Sequence, residues 1–267
     1  MRFLQAIVLG LVQGLTEFLP VSSSGHLILL KKLFHIEAET FGLTFDIALH
    51  VATLVAVVIV FRRDILHILK KPFQRLTLYL IIATIPAALV GFFFDDYIEE
   101  ISASGGFLGI AFLITAAVLL LSEKVGKRYK ETEQMSCVDA GLIGAAQAVA
   151  VIPGISRSGS TLSAGLFTGL KKEAALRFAF LMSIPVILGS AVLGVKDVIE
   201  NPGSMEWGVV LCGMAAAGIS GYAAVRFMLN FFRKRSLKVF ALYVGIIGVF
   251  VLLDQLIFKQ FFDVFLF

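Results

Sequence analysis

The chain has 267 residues, of which 58% are hydrophobic and 16% charged, against roughly 45–50% and about 25% in soluble domains. That balance excludes a soluble globular domain and identifies an integral membrane protein. The net charge of +4 requires no nucleic-acid partner, since basic loops orient membrane proteins. Cys137 and Cys212 lie far apart and outside any CxxC or Cys/His cluster, which indicates neither a disulfide framework nor zinc.

The first apolar run, 3–18, is interrupted by Gln13 and Glu17 and lacks a small-residue cleavage site, so it reads as structure rather than signal peptide. A spanning helix needs about 20 apolar residues. Run 3–18 is too short, and so is 22–34, with Pro20 to Gly25 breaking the chain between them. Spans are predicted at 44–61, 76–94 and 105–121. The polar segment 122–138 follows. Two more short runs, 139–152 and 158–169, flank a second break from Pro153 to Gly159, and spans are predicted at 173–194, 207–230 and 238–258. Non-helical backbone survives at membrane depth only inside protein or beside a polar cavity. Each short pair is therefore predicted to form a re-entrant hairpin that enters and returns to the same side.

The two breaks repeat one pattern 134 residues apart. Gly10 and Gln13 lead to Ser22-Ser23-Ser24-Gly25, and Gly144 and Gln147 lead to Ser156-Arg157-Ser158-Gly159. Each half then holds one hairpin and three spans, and three is odd, so the second half starts on the opposite side. The predicted fold is an all-α integral membrane protein of two inverted-topology repeats, each a re-entrant helix hairpin plus three transmembrane helices. It is a single polytopic domain over 1–267: repeat one about 1–121, a connecting loop about 122–138, and repeat two about 139–267. The loops 62–75, 122–138, 171–177 and 226–238 together carry 17 Lys and Arg, against five on the other side. The positive-inside bias places both termini outside, together with the acidic loop of Asp95, Asp96, Glu99 and Glu100.

Duplicated polar breaks at membrane depth are how membrane proteins build a buried site for an ionic substrate. Gln13 and Glu17 share a helix face, and an intramembrane carboxylate is costly enough to be functional by default. Ser22, Ser23 and Ser24 supply hydroxyls before His26. In the second break Arg157 is the only Lys or Arg in either break, and its planar fork suits phosphate oxygens. Ser156, Ser158 and Thr161 add donors, and a helix restarting near Ser158 points its N-terminal amides at the same space. A phosphate beside Glu17 calls for a bridging divalent ion, and Mg²⁺ binds through one or two carboxylates plus substrate oxygens. His26 is a candidate general acid or base, and Ser23 a candidate nucleophile if a base activates it. Asp46 and His50 form a further i,i+4 pair that could line the cavity, bind metal or pair with each other.

These motifs resemble the bacterial undecaprenyl-diphosphate phosphatase, or bacitracin-resistance, family. Gln13-Gly-Leu-Thr-Glu17-Phe-Leu-Pro-Val-Ser-Ser-Ser-Gly-His26 is similar to its [E/Q]-x-x-x-E element, and Pro153-Gly-Ile-Ser156-Arg157-Ser-Gly-Ser-Thr161 to its PGxSRSxxT element. Gln13 stands where the family permits Glu or Gln, which weakens a two-carboxylate metal site. The resemblance implies hydrolysis of undecaprenyl diphosphate to the monophosphate and inorganic phosphate, with Mg²⁺ or Ca²⁺ support. That activity recycles the lipid carrier for peptidoglycan and other envelope polymers and confers bacitracin resistance. The implied setting is the bacterial plasma membrane, with a site open to the extracytoplasmic face. By carry-over the site comprises Gln13, Glu17, Ser23, His26, Ser156, Arg157 and Thr161, with Glu17 as the candidate metal ligand. The expected partners are a polyprenyl diphosphate and the bilayer, with a homodimer left open. Two rivals remain: a type-2 phosphatidate phosphatase, whose Lys-x6-Arg-Pro element is missing, and an inverted-repeat lipid-phosphate transporter or flippase, which the architecture alone would suit.

Overall fold

The computed structural model describes residues 1–36, 41–124, 128–200, 206–259 and 261–262. Among them twelve α-helices form and no β-strand. The first hairpin is α1 (Arg2–Phe18) and α2 (Ser23–Leu33); the second is α8 (Cys137–Val149) and α9 (Arg157–Phe167). Between them lie α3 (Leu43–Val60), α4 (Arg62–Lys70), α5 (Arg75–Phe93), α6 (Asp95–Ser104) and α7 (Leu108–Lys124). After them come α10 (Lys172–Glu200), α11 (Trp207–Lys234) and α12 (Lys238–Leu253), the last continuing into a π-helical turn, Asp254–Phe258.

The helices are patterned for a bilayer, with the polar and small residues inward. On α1 the buried positions are Ala6, Leu9, Gly10, Gln13, Gly14 and Glu17, one stripe at helical spacing. Phe3, Leu4, Ile7, Leu11 and Leu15 on the other face are exposed. Tails of lipid give no hydrophobic reward for burying Leu, so close backbone approach between small residues holds such helices together. α1 packs on α11, and α8 packs on α5. A Cβ added at Gly144 would sit 2.6 Å from the Ala83 carbonyl oxygen of α5, and one at Gly10 would overlap the Gly213 backbone of α11. α3 lies between α10 and α11, and α12 runs along α7.

Four helical stretches are long and apolar enough to cross a membrane: Arg75–Phe93, Lys172–Val192, Trp207–Phe232 and Lys238–Phe258. A fifth is counted if the bent pair Thr44–Val60 and Arg62–Lys70 is one span. The chain is thus a multi-pass membrane protein, with fewer clear spans than the six expected. The first discrepancy lies at 105–121. Gly105 adopts a left-handed conformation (φ 66°) that caps α6, so the next helix starts only at Leu108 and has 17 residues. The second lies at 62–75, read from sequence as a loop. There the chain turns by 78° and forms α4, none of whose residues is buried. Its charged residues recur on one face of a short helix, as suits a segment lying along an interface. The expected connection 122–138 is described except at 125–127, and the side chains of Asp95, Asp96 and Glu99 in the expected acidic loop lie outside the described set.

Candidate active site

The two breaks meet. The first tip turns at Leu19 to Ser22 and restarts as α2, with the Ser22 hydroxyl accepting the Gly25 amide at 3.3 Å. The second turns through Pro153 to Ser156 and restarts as α9, with the Ser156 hydroxyl accepting the Gly159 amide at 3.0 Å. Each helix start thus has a serine N-cap, which satisfies one of its orphan donors. The Ser158 hydroxyl donates to the Leu19 carbonyl across the tips at 2.8 Å. A Cβ at Gly25 would lie 3.1 Å from the Gly154 Cα, so the backbones nearly touch. Gly154 itself has φ 92°, a conformation that glycine adopts without strain. The Thr115 hydroxyl of α7 donates to the Gly154 carbonyl and accepts the Ser156 amide at 3.1 Å, pinning the second tip.

At the meeting point the Arg157 guanidinium donates to Glu17 Oε1 in a tight ion pair. The other carboxylate oxygen accepts from the Ser23 hydroxyl at 2.5 Å and from the Gln13 amide at 2.9 Å. His50 Nε2 lies 3.5 Å from the same oxygen, and its Nδ1–H donates to the Asp46 carbonyl at 2.8 Å. One buried carboxylate therefore gathers an arginine, a serine, an amide and an imidazole from four helices. Ser22, two residues from Ser24 on the tip, has φ 67°. Such a conformation is rare for a non-glycine residue, and strain of this kind clusters at functional sites.

These groups form the polar end of a cavity of about 950 Å³. Glu17, Ser22, Ser23, Ser24, His50, Ser156, Arg157 and Ser158 line that end, and Gln147 lines it from α8. The remaining wall is mostly apolar, interrupted by Thr84 and Ser190. It comes from α5, with Leu89, Phe92 and Phe93, and from α10, with Pro185, Leu188 and Val192. The arrangement suits an amphiphile whose charged head meets the tips and whose hydrocarbon runs between α5 and α10.

Three of the predicted site residues stand behind the cavity rather than on it. Gln13 is fully buried and holds Glu17. Thr161 is buried and donates to the Arg157 carbonyl at 2.9 Å. His26 is buried too. Its Nδ1–H donates to the Ser22 carbonyl at 2.7 Å, so in the neutral ring Nε2 is left to accept from the Tyr243 hydroxyl at 2.9 Å. The ring stacks on Tyr243 of α12 and meets Phe112 edge-on. Both ring nitrogens are thereby committed to protein partners, which leaves none for a substrate proton. The expected Asp46–His50 pair divides: Asp46 bonds Lys31 through both oxygens at 2.7 Å, and only His50 reaches the cavity. Tyr243 escaped sequence reasoning, since an aromatic on an apolar span carries no local signal of a polar partner 217 residues away.

Among the described residues no three His, Cys, Asp or Glu side chains come together as a metal cluster. Glu17, Ser23 Oγ and the unpartnered Oε1 of Gln13 are nevertheless hard oxygen donors in one place. That set fits a Mg²⁺ or Ca²⁺ site completed by substrate oxygens, not a protein-only cage.

Comparison with known proteins bears on the same residues. Residues 6–250 match the family of bacitracin resistance protein BacA. An undecaprenyl-diphosphatase of Carboxydothermus hydrogenoformans is 48% identical over 258 residues, covering 96% of this chain and 98% of the relative. One from Rubrobacter xylanophilus is 42% identical, covering 91% and 94%, and undecaprenyl-diphosphatase 4 of Bacillus cereus is 41% identical, covering 96% and 98%. With both tips and most of the chain inside the matched range, the chain belongs to the BacA bacitracin resistance family.

Proposed function

We propose that the protein is a membrane phosphatase that hydrolyses undecaprenyl diphosphate to undecaprenyl phosphate and inorganic phosphate. This recycles the lipid carrier for cell-wall synthesis and confers bacitracin resistance. The observation that carries the reading is the ion pair of Glu17 and Arg157 at the polar end of a mostly apolar cavity. The names of the similar proteins support it, and they do not favour a transporter.

In the proposed mechanism the distal phosphate takes the place of Glu17 on the Arg157 guanidinium, with the amides at the starts of α2 and α9 facing it. Glu17, released from its counter-ion, accepts the proton of the Ser23 hydroxyl that it already binds. Ser23 Oγ attacks the distal phosphorus, the bridging P–O bond breaks, and undecaprenyl phosphate leaves. Water then attacks the phosphoserine, giving inorganic phosphate and restoring the hydroxyl. Catalysis of this kind is mostly positioning and charge stabilisation, which is what a rigid two-tip chamber supplies. Glu17, Ser23 and Gln13 would hold the divalent ion when bound, and the ion would neutralise charge on the diphosphate. His26 and Tyr243 position the Ser22 carbonyl and hence the tip.

The finer architecture is read as two inverted repeats. Support comes from the exchange of partners between halves: α1 packs on α11 as α8 packs on α5, and α3 on α11 as α10 on α5. The 17 Lys and Arg on one set of loops support an orientation with termini and site toward the extracytoplasmic side. The test is phosphate release from a purified long-chain prenyl diphosphate with and without a chelator. Release that requires a divalent ion is expected, and no release under either condition would overturn the phosphatase reading.

A further inference from the structure

Gln147 is a polar side chain of this cavity that the mechanism leaves without a partner. It is 1% exposed, and neither its Oε1 nor its Nε2 has a hydrogen-bond partner among the described residues. It lines the same cavity as Arg157 and Glu17. A buried amide with nothing to bond is costly, and native proteins retain few of them. Its helix holds it firmly. Gly144, one turn earlier on the same face, is in backbone contact with Ala83, and Ser136 and Asp139 form a reciprocal cap at the helix start.

The first half shows what the equivalent side chain does when it has a protein partner. Gln13 donates its amide to Glu17, four residues on. Four residues beyond Gln147 stands Val151, so no carboxylate accepts there. Gln147 lines a cavity whose polar end is built for phosphate oxygens, which are the acceptors its amide lacks. We infer that Gln147 is a substrate-contact residue, its Nε2–H donating to a non-bridging oxygen of the bound diphosphate. The inference rests on the diphosphatase reading and adds to it a ligand contact from the second hairpin other than Arg157. In this role the side chain destabilises the free protein and is satisfied only in the complex, the trade-off seen at functional sites.

The experiment uses the full chain in detergent with farnesyl diphosphate as substrate and inorganic phosphate as competing product. Wild-type turnover tests the diphosphatase reading by itself; the variants are read relative to it. Gln147→Leu should raise KM and the inhibition constant for phosphate about tenfold, the effect of one hydrogen bond to a charged partner. Its kcat should stay within about threefold of wild type, with Tm unchanged or higher because an unsatisfied amide is gone. Gln147→Glu, nearly isosteric but anionic, should raise KM further. KM and phosphate inhibition unchanged in both variants would overturn the inference, as would a fall in Tm alone, which marks a packing role. A loss confined to kcat would equally overturn a ground-state contact.

Discussion

The two hairpin tips share a Ser-capped helix start, a glycine-lined turn and a buried Gln one helix earlier, yet they carry opposite charges. The first holds Glu17 and hydroxyls; the second holds Arg157 and no acid. Each tip alone would bury a charge in the bilayer at considerable cost. Together they neutralise each other and form an ion pair that a phosphate can open, since the incoming anion replaces one partner and frees the other. The difference between the two tips is therefore the functional part of the site, and their likeness is the scaffold.

Removing the cation from the second tip is the most drastic way to break this complementarity. Arg157→Ala and Arg157→Lys should each lower kcat/KM by about 10³-fold or more, since a point charge on Lys does not reproduce the fork that grips a transferred phosphoryl group. Steady-state phosphate release from folded, detergent-purified variants checks this. Turnover near wild type in the Lys variant would remove the special role of the fork.

Making the first tip neutral should have a smaller effect. Glu17→Gln keeps the shape and loses the base, with an expected loss of about 10²-fold, the lower end of what general acid–base catalysis contributes. Parallel assays of Ser23→Ala separate the two proposed routes. If Ser23 attacks, the Ala variant falls with Glu17→Gln and rapid quenching of wild type traps a phosphoserine. If Glu17 activates water instead, the Ala variant keeps most of its rate.

The mildest perturbation touches only the foundation of the second hairpin. Asp139 lies in the first turn of α8, outside the four spans, where burial pushes its carboxyl up. The Ser136 backbone N–H at 2.8 Å, Lys130 and the Ser136 hydroxyl outweigh that and hold it below the ordinary carboxylate range. Because the folded pKa is depressed, its stabilisation is complete above the unfolded value of about 3.9 and is lost as pH falls through the folded one. Asp139→Asn should cost about 1 kcal/mol of stability, as loss of a helix cap does. Unfolding curves at neutral and acid pH check this, with the difference between the proteins shrinking in acid and kcat at neutral pH unchanged.

Much of this was legible in the chain. The polar breaks at 20–25 and 153–159 announced themselves because a Pro, a Ser cluster and a charge cannot lie in a lipid-facing helix. That the Glu17 and Arg157 tips serve one site followed from the duplication, but their direct ion pair did not, because each was read against phosphate or a metal rather than against the other. What stayed hidden depends on partners distant in sequence. Nothing local shows that His26 is locked against Tyr243 while His50 faces Glu17, because both outcomes are set by partners distant in sequence. Nor does spacing reveal that Gly105 delays α7 to Leu108, or that α4 bends away from α3 at Phe61. These are decided by a backbone conformation and by an interface, neither of which leaves a periodic trace.

The stacking of His26 on Tyr243 joins the second helix made during synthesis to the twelfth. The first tip can enter the bilayer early, but the His26 ring gains its Tyr243 partner only when the last long helix arrives beside it. A nascent chain carrying Glu17, Ser23 and Arg157 but halted before α12 should hold all three reacting groups and remain inert.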